Sequence, residues 1–368
     1  MEGQWLDRLW MDRALRLAGL ADGLTSPNPL VGAVVLSAAG ELVGEGYHRK
    51  AGEAHAELMA LQQAGEKANG GTLYVTLEPC CHQGRTPPCT AAVLNSGVKR
   101  VVVAIADPSP LVAGKGLTLL REAGLEVELG EGAEAAKKQN SAFLHRLATG
   151  KPEGILKWAM SLDGRTALPN GASQWISGPE ARSWVHQLRS RCDAVIVGGG
   201  TVRADDPLLT SRGRRTPEPL RVVVSRKLNL PDAAQIWDVS LAPTLVAHGP
   251  GATAEKIASL DQLGIERLPL DQCEPQQLME ALASRGCNRV LWECGPELAA
   301  SAIGQGCVQH IAAVIAPKLL GGIAARTPLG DLGLTKIPEA NEHATTKFSV
   351  QQLENDLIIQ LRIAEKIK

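Results

Sequence analysis

The sequence has little excess charge of either sign, and this absence narrows the classes of partner. Its 38 Lys and Arg residues nearly balance 39 Asp and Glu residues, which gives a formal net charge of −1. Binding to nucleic acid or to an anionic membrane depends on a marked positive excess. We therefore expect no nucleic-acid partner and no membrane partner, although a local basic cluster could still bind a phosphate group.

Long apolar runs and a disulfide pattern are also missing. Charged residues interrupt every apolar stretch near the N-terminus, so the sequence predicts neither a signal-peptide core nor a membrane-spanning helix. Eight cysteines in a chain of this length do not indicate a disulfide scaffold. We expect a cytoplasmic protein. Five cysteines stand singly and are expected to be small buried residues: Cys192, Cys273, Cys287, Cys294 and Cys307.

The chain is long enough for two domains, and its pattern of elements restarts near residue 150. At 368 residues it exceeds the size at which a single core usually keeps growing. Strands alternate with helices in both halves, which indicates an α/β sandwich with a largely parallel sheet. Gly150-Lys151-Pro152 separates the two patterns. We therefore predict one domain at 1–150 and another at 151–368.

Hydrophobic periodicity and turn residues predict the elements of both halves. In the first half they predict helices at 5–20, 55–68, 90–96 and 117–123, and strands at 31–36, 41–47, 72–77, 100–105 and 125–129. In the second half they predict helices at 179–190, 275–285 and 296–304, and strands at 155–160, 194–198, 220–224, 244–247, 289–293, 308–315 and 348–362.

Four residues of the first half have the chemistry of a hydrolytic zinc site. His55, Cys80 and Cys89 supply one imidazole and two thiols, which leaves the fourth tetrahedral position for water. Glu57 stands beside the first ligand and could move protons without binding the metal. Both ligand sets are predicted at helix N-termini, whose partial positive charge favours thiolate and carboxylate groups. The pattern predicts a zinc-dependent deaminase with Glu57 as its catalytic residue.

A closed structural zinc site is the alternative. It needs a fourth protein ligand, and Cys81 and His82 are the candidates. Cys81 could also compete with its neighbour Cys80 for the metal. We favour Cys80 as the ligand because it directly follows Glu78-Pro79, and we expect His82 to face the substrate.

Five motifs follow one another along the first half: Thr25-Ser26-Pro27-Asn28-Pro29, Gly46-Tyr47-His48, His55-Ala56-Glu57, Glu78-Pro79-Cys80 and His82-Gln83-Gly84-Arg85-Thr86-Pro87-Pro88-Cys89. Together they resemble the bifunctional deaminase–reductase family of riboflavin biosynthesis, and the resemblance covers nearly the whole chain. The last motif is the most specific, because cytidine and tRNA-adenosine deaminases usually have two residues between the cysteines and this chain has eight. Cys81 departs from the small non-thiol residue that the family generally carries.

The resemblance implies a fold and two cofactors. It implies an N-terminal cytidine-deaminase-like three-layer α/β/α domain that binds one zinc ion. It also implies a C-terminal dihydrofolate-reductase-like α/β domain that uses NADPH. Homo-oligomers are common in the family, so we expect one here.

The loop between the cysteines carries donors suited to a phosphorylated pyrimidine. His82 and Arg85 suit a phosphate or polar pyrimidine substituents. Asn28 offers an acceptor and donors for the edge of a base. We therefore expect Asn28, His82 and Arg85 to bind substrate, with a solvated loop charge as the alternative for Arg85.

Two glycine turns follow predicted strands of the second half, at Gly198 and Gly295. Glycines at such points let backbone amides approach a pyrophosphate, and the N-terminus of the next helix favours its charge. The Gly-x-Gly-x-x-Gly fingerprint is absent, so tight turns without a ligand stay open as the alternative.

The resemblance assigns further roles in the second half. It implies nucleotide contacts from Ala159, Trp175, Thr201, Asp205, Gly295, Pro296, Glu297, Leu298, Ala299, Ala300 and Ser301. It implies substrate contacts from Lys157, Ser173, Arg189, Leu209, Arg212 and Glu293. The guanidinium groups of Arg189 and Arg212 suit forked contacts with the sugar phosphate, with ordinary surface charge as the alternative.

The strand end at Ser225-Arg226 departs from the Asp-Ser that is common there in the family. An acid would repel a 2′-phosphate, whereas a cation would hold it. We predict that Arg226, with Ser225, contacts the nucleotide and favours NADPH over NADH.

These features predict an enzyme with two steps on a small phosphorylated pyrimidine. The first removes an exocyclic amine from 2,5-diamino-6-ribosylamino-4(3H)-pyrimidinone 5′-phosphate, and the second reduces the ribosyl group of the product to ribityl. One alternative is another zinc nucleobase deaminase with a non-catalytic nucleotide-binding C-terminal domain. Another is a zinc-bearing binding module that senses a nucleotide without chemistry.

Overall fold

The computed structural model describes residues 2–83, 87–109, 112–336 and 345–363. The chain forms two compact units, Met1–Thr149 and Gly150–Lys368. Within the parts of the chain that the structure describes, no helix is long and apolar enough to cross a membrane.

The first unit contains five strands and six α-helices among its described residues. They are α1 (Glu2–Gly19), β1 (Gly32–Leu36), β2 (Leu42–Tyr47), α2 (Ala56–Ala64), β3 (Thr72–Val75), α3 (Cys89–Asn95), β4 (Arg100–Val103), α4 (Lys115–Glu122), β5 (Glu126–Leu129), α5 (Ala133–Gln139) and α6 (Ser141–Thr149). A 3₁₀ turn at Gly65–Ala68 continues from α2.

The sheet of this unit has the order β2-β1-β3-β4-β5. The strands β3, β4 and β5 pair in parallel, whereas β1 pairs antiparallel with both β2 and β3, so β1 alone runs against the other four strands. The expectation of a largely parallel sheet therefore fails only at β1. The short link between β1 and β2 permits a hairpin but not the crossover that parallel strands need.

Helices cover both faces of this sheet. Side chains alternate along β1, so Ala33 and Val35 face one core cluster and Val34 and Leu36 face another. The first cluster contains residues of α2, α3 and α4, and the second contains residues of α1 and α5. The predicted three-layer α/β/α arrangement is confirmed.

The second unit is larger and also alternates strands with helices. Its elements are β6 (Glu153–Ser161), α7 (Pro179–Ser190), β7 (Ala194–Gly198), α8 (Gly199–Asp205), β8 (Leu220–Val224), β9 (Thr244–His248), α9 (Ala254–Gln262), β10 (Glu266–Pro269), α10 (Pro275–Ser284), β11 (Arg289–Trp292), α11 (Pro296–Gly304), β12 (His310–Ala316), β13 (Thr345–Leu353) and β14 (Asp356–Ile363). The predicted α/β class is confirmed for both units.

The strands of the second unit form one sheet in the order β10-β9-β8-β7-β11-β6-β12-β14-β13. All neighbours from β10 to β12 are parallel, and the last two strands pair antiparallel. The single predicted strand at 348–362 is wrong, since it is the hairpin of β13 and β14. Glu354 adopts a φ of 50° at the hairpin turn, where no Gly or Pro marks the reversal in the sequence.

Candidate active sites

The first candidate site lies at one edge of the five-stranded sheet. Because β1 is antiparallel to β2 and β3, the start of β1 and the ends of its two neighbours meet at the same edge. The loop before β1 carries Asn28, His48 directly follows β2, and the segment after β3 carries Cys80. Asp107 follows the parallel strand β4 at this edge. The topology thus brings together residues that are distant in the sequence.

The three predicted metal ligands converge at this edge. Nδ1 of His55 lies 3.2 Å from Sγ of Cys89 and 3.6 Å from Sγ of Cys80. All three ligand atoms lie within 4.8 Å of one another. His55 is the N-cap residue of α2, and Cys89 is the first residue of α3. One nitrogen and two sulfurs at these separations fit an ion that binds them at about 2.0–2.3 Å.

The two thiols hold protons with unequal strength. Hydrogen bonds with Cys89 and with His55 stabilise the thiolate of Cys80 and lower the pKa of Cys80 to about 4. The neighbouring Cys80, together with burial, raises the pKa of Cys89 well above its usual value. A divalent cation bound to both sulfurs would stabilise two thiolates at once. The donor set therefore fits a zinc ion.

Glu57 lies in the first turn of α2, beside the ligands. Its side chain is buried, and this burial raises the pKa of Glu57 to about 7. A carboxyl group with a pKa near neutrality can both accept and return a proton. The position and the environment of Glu57 therefore suit a proton-transfer group.

A cavity of about 560 Å³ opens beside these residues. The predicted substrate residues Asn28 and His82 both line it, together with His55, Glu57 and Cys80. Arg85, the third predicted substrate residue of this site, lies outside the described residues. Cys81 is half-buried and does not belong to the cluster of three ligands.

His48 is a lining residue to which the sequence analysis gives no role. Its Nδ1–H donates to the carbonyl oxygen of Ala54 at 3.2 Å, and its Nε2 accepts a hydrogen bond from Nδ2 of Asn28 at 3.1 Å. Burial lowers the pKa of His48 and favours the neutral ring that this pairing requires. His48 thereby orients Asn28. The sequence signal for this role is the position of His48 in the motif Gly46-Tyr47-His48.

Glu78 is a second residue without an assigned role, and it ties several loops to the end of β3. One carboxylate oxygen accepts hydrogen bonds from the backbone of Asp107 and Gly114, and the other accepts them from Gly116 and Leu117. A Cβ atom at Gly116 would lie 2.3 Å from the carbonyl oxygen of Pro79, so this approach requires glycine. Glu78 therefore holds one wall of the cavity.

The second candidate site lies at the carboxyl ends of four neighbouring strands. β8, β7, β11 and β6 are parallel, so the residues after them share one edge. A cavity of about 690 Å³ lies there. Seven of the predicted nucleotide residues line this cavity: Thr201, Arg226, Gly295, Pro296, Glu297, Leu298 and Ser301.

The two glycine turns lie side by side in this cavity. A Cβ atom at Gly295 would lie 3.8 Å from Oγ1 of Thr201, which belongs to the first turn of α8. A Cβ atom at Gly199 would lie only 3.1 Å from the side chain of Leu230. Backbone amides at the starts of α8 and α11 therefore border a common space, as a pyrophosphate needs.

Three arginines bring positive charge to this cavity, namely Arg203, Arg226 and Arg326. Nη2 of Arg226 lies 2.9 Å from Oε1 of Glu274, and Nε2 of Gln305 donates to the second oxygen of Glu274 at 2.6 Å. The Arg226 side chain remains exposed. Its guanidinium is therefore placed at the edge of the cavity and can reach an incoming phosphate.

The other predicted nucleotide residues lie outside the lining of this cavity. Ala159 is half-buried in β6, and Ser225 lies directly before Arg226 at the end of β8. Ala299 and Ala300 are buried in α11. The remaining two, Trp175 and Asp205, belong to a neighbouring loop and to the end of α8.

Trp175 is exposed but held by two cations. The guanidinium of Arg182 lies 4.6 Å from the centre of its ring, and Nζ of Lys318 donates to its carbonyl oxygen at 2.8 Å. Oγ of Ser173, a predicted substrate residue, donates to Oδ1 of Asp205 at 2.7 Å. These contacts connect the loop at 173–175 with α8.

Three predicted substrate residues form a half-buried charge cluster. Arg189 donates to both oxygens of Glu293, at 2.5 and 3.1 Å, and Nζ of Lys157 lies 3.5 Å from Oε2. Burial opposes the ionisation of Glu293, but Arg189 and Lys157 outweigh it and lower the pKa of Glu293 to about 2. The cluster therefore keeps a carboxylate and two cations near the ends of β6 and β11.

The remaining two substrate residues lie in the loop after α8. Leu209 is buried with a φ of 54°, and Arg212 is exposed with a φ of 58°. Nη1 of Arg189 donates to the carbonyl oxygen of Thr210 at 3.0 Å and thus connects this loop to the cluster. His186 was missed by the sequence analysis. Burial, Arg189 and Arg212 lower its pKa to about 4, so His186 is neutral between these cations.

Family models match both units. Residues 5–105 match the cytidine and deoxycytidylate deaminase zinc-binding region, and residues 152–359 match the RibD C-terminal domain. Both alternatives to a deaminase–reductase are therefore not favoured, because the second unit belongs to a reductase family.

Known proteins resemble the chain over most of its length. The riboflavin biosynthesis protein RibD of Synechocystis is 51% identical over 334 residues, which are 91% of this chain and 90% of that protein. RibD of Aquifex aeolicus is 43% identical and covers 96% of this chain and 98% of its own.

Solved structures also resemble this one over nearly the whole chain. Acinetobacter baumannii RibD has a TM-score of 0.87 at 37% identity, over 98% of this chain and 100% of that chain. A Thermotoga maritima diaminohydroxyphosphoribosylaminopyrimidine deaminase/5-amino-6-(5-phosphoribosylamino)uracil reductase has a TM-score of 0.86 at 31% identity, with the same coverage. The chain therefore belongs to the RibD family of riboflavin biosynthesis proteins, which join a zinc-binding deaminase domain to a reductase domain.

Proposed function

We propose that the chain deaminates 2,5-diamino-6-ribosylamino-4(3H)-pyrimidinone 5′-phosphate in its first unit and reduces the ribosyl group of the product in its second. The observation that carries this proposal is the convergence of His55, Cys80 and Cys89 next to the buried Glu57, at the wall of a cavity. The substrate is the one named for the Thermotoga relative. The motif loop between the two cysteines supports the same choice.

In the first unit, His55, Cys80 and Cys89 would hold the zinc ion and Glu57 would transfer protons. When bound, zinc supplies an activated water near neutral pH. Glu57 accepts a proton from the attacking water and delivers it to the exocyclic amine, which leaves as ammonia. Asn28, held by His48, would contact the edge of the pyrimidine, and His82 would contact the substrate from the loop after Cys80.

In the second unit, the cavity after β7 and β11 would bind NADPH, which supplies the hydride when bound. The amides at the starts of α8 and α11 would hold the pyrophosphate, and Arg226 would hold the 2′-phosphate. Lys157, Arg189 and Glu293 border the ribose end of the substrate. Their fixed charges would orient the sugar at C1′, the carbon that must be reduced when the ribosyl group becomes ribityl.

The test follows the two steps separately in the full chain. We expect ammonia release from the diaminopyrimidine substrate without NADPH, and loss of NADPH absorbance only after deamination or on addition of the deaminated product. Ammonia release without any NADPH oxidation would contradict the second half of the proposal. Turnover of cytosine or guanine in place of the ribosylaminopyrimidine would contradict the first half.

A further inference from the structure

The cavity of the first unit is rich in acids. Glu53, Glu57, Glu78 and Asp107 all line it. Of the described residues that line this cavity, Arg146 alone is a lysine or an arginine. A substrate that carries a phosphate dianion needs a cation in such surroundings, because the carboxylates repel it.

Arg146 belongs to the pocket-facing side of α6. Phe143, Arg146 and Leu147 are spaced by three and four residues, so they share one face of the helix, and all three line the cavity. Arg146 is half-buried, and its Nη2 donates to the carbonyl oxygen of Pro27 at 2.9 Å. A guanidinium has five N–H donors, and two of them can bind one phosphate in a forked contact.

A series of contacts along the cavity wall places Arg146 away from the metal ligands. The rings of His55 and His48 form a T-shaped contact with their centres 5.4 Å apart, and His48 is hydrogen-bonded to Asn28 at 3.1 Å. Asn28 follows Pro27, whose carbonyl oxygen receives the Arg146 bond. The wall thus runs from the ligand cluster, past a base-binding residue, to a guanidinium on α6.

We propose that Arg146 binds the 5′-phosphate of the substrate in the deaminase site. The inference rests on the proposed function and deepens it. A ribosylaminopyrimidine phosphate carries its reacting amine and its phosphate at opposite ends, with the ribose between them. When the amine end lies at the ligand cluster and the base lies at Asn28, the phosphate reaches the Arg146 end of the wall. A guanidinium there recognises the phosphate through two parallel hydrogen bonds.

The experiment compares the phosphorylated substrate with its dephosphorylated counterpart in ammonia release by the full chain. We expect Arg146→Ala to raise KM for the phosphorylated substrate about tenfold or more, as the loss of a charged hydrogen bond does. KM for the dephosphorylated compound should stay within about twofold of the wild-type value, since this compound lacks the group that Arg146 binds. Arg146→Lys keeps the charge but not the forked hydrogen bonds. Its KM for the phosphorylated substrate should therefore lie between the values of the wild type and of Arg146→Ala.

Arg121→Ala is the matched control. Arg121 also donates to a backbone carbonyl, that of Val127 at 3.2 Å, but it does not line the cavity. We expect this variant to keep the wild-type KM for both compounds.

The alternative role of Arg146 is to hold the Pro27 loop. If Arg146→Ala raised KM equally for both compounds, or for neither, the assignment of Arg146 to the phosphate would therefore be wrong. If the wild-type chain releases no ammonia from either compound, the proposed function fails instead, and the inference fails with it. A melting curve for each variant separates loss of binding from loss of the fold.

Discussion

Glu57 is buried beside three ligand atoms that lie within 4.8 Å of one another, and its role can be tested at the scale of a single residue. Replacement by Gln keeps the size of the side chain but removes its capacity to carry a proton. We expect Glu57→Gln to slow ammonia release by about 10²–10⁴-fold. Zinc content should be unchanged, because Glu57 is not among the ligands.

The ammonia assay and a metal analysis on one preparation check this expectation. Glu66→Gln, in the exposed 3₁₀ turn after α2, is the control and should keep the wild-type rate. An unchanged rate in Glu57→Gln would remove Glu57 from the mechanism. Loss of zinc from this variant would instead make it a ligand.

Arg226 provides the second test at this scale, because its guanidinium is exposed at the edge of the second cavity. We expect Arg226→Ala to raise KM for NADPH about tenfold, since a charged hydrogen bond to the 2′-phosphate is lost. KM for NADH should change little. Steady-state rates with both nucleotides give the ratio of KM for NADPH to KM for NADH. Arg267→Ala, which breaks an ion pair with Asp261 elsewhere, is the control. An unchanged NADPH/NADH ratio would refute the role of Arg226.

At the scale of elements, Glu153 joins the starts of three adjacent strands. It opens β6 and pairs with Arg289 of β11 at 3.0 Å and with His310 of β12 at 3.1 Å. Burial opposes the ionisation of Glu153, but His310 and Arg289 outweigh it and lower its pKa from 4.5 to about 2. Its stabilisation is therefore complete above pH 4.5 and is lost as the pH falls towards 2.

We expect Glu153→Gln to lower the free energy of unfolding of the second unit by about 3 kcal/mol at pH 7. Urea titrations followed by tryptophan fluorescence measure it, because five of the seven tryptophans lie in the second unit. The difference from the wild type should shrink at pH 3. Glu255→Gln, on the exposed face of α9, should have no effect at either pH. A difference that is the same at both pH values would contradict the ionic origin.

Elements with strong local signals were predictable from the sequence. The observed bounds of α7, β7 and β8 match the predicted ones, because a Pro near the first helical position and short β-branched runs mark them. The short helix α5 and the edge strand β10 were not predicted. Both are short and largely polar, so tertiary contacts rather than periodicity define them.

The residues of the candidate sites also differ in whether the sequence predicts their role. The ligand residues His55, Cys80 and Cys89 lie in recognisable motifs, so their chemistry is visible in the sequence. Glu78 stands in one of these motifs and Arg146 does not, but the sequence indicates the role of neither, because each acts through segments that only the folded chain brings near. The residues next to a carboxylate or an arginine in the sequence do not indicate whether its side chain faces a cavity.

At the scale of the whole molecule, the two cavities belong to separate compact units with their own hydrophobic cores. The cluster of metal-ligating residues found among the described parts of the chain lies in the first unit. We therefore expect a zinc chelator to abolish ammonia release while the chain still oxidises NADPH when it is given the deaminated product. Re-addition of zinc should restore ammonia release, because His55 and Cys89 lie at the starts of α2 and α3, which pack into the first core. If chelation stopped NADPH oxidation as well, the second step would depend on the metal, and the assignment of one reaction to each unit would be wrong.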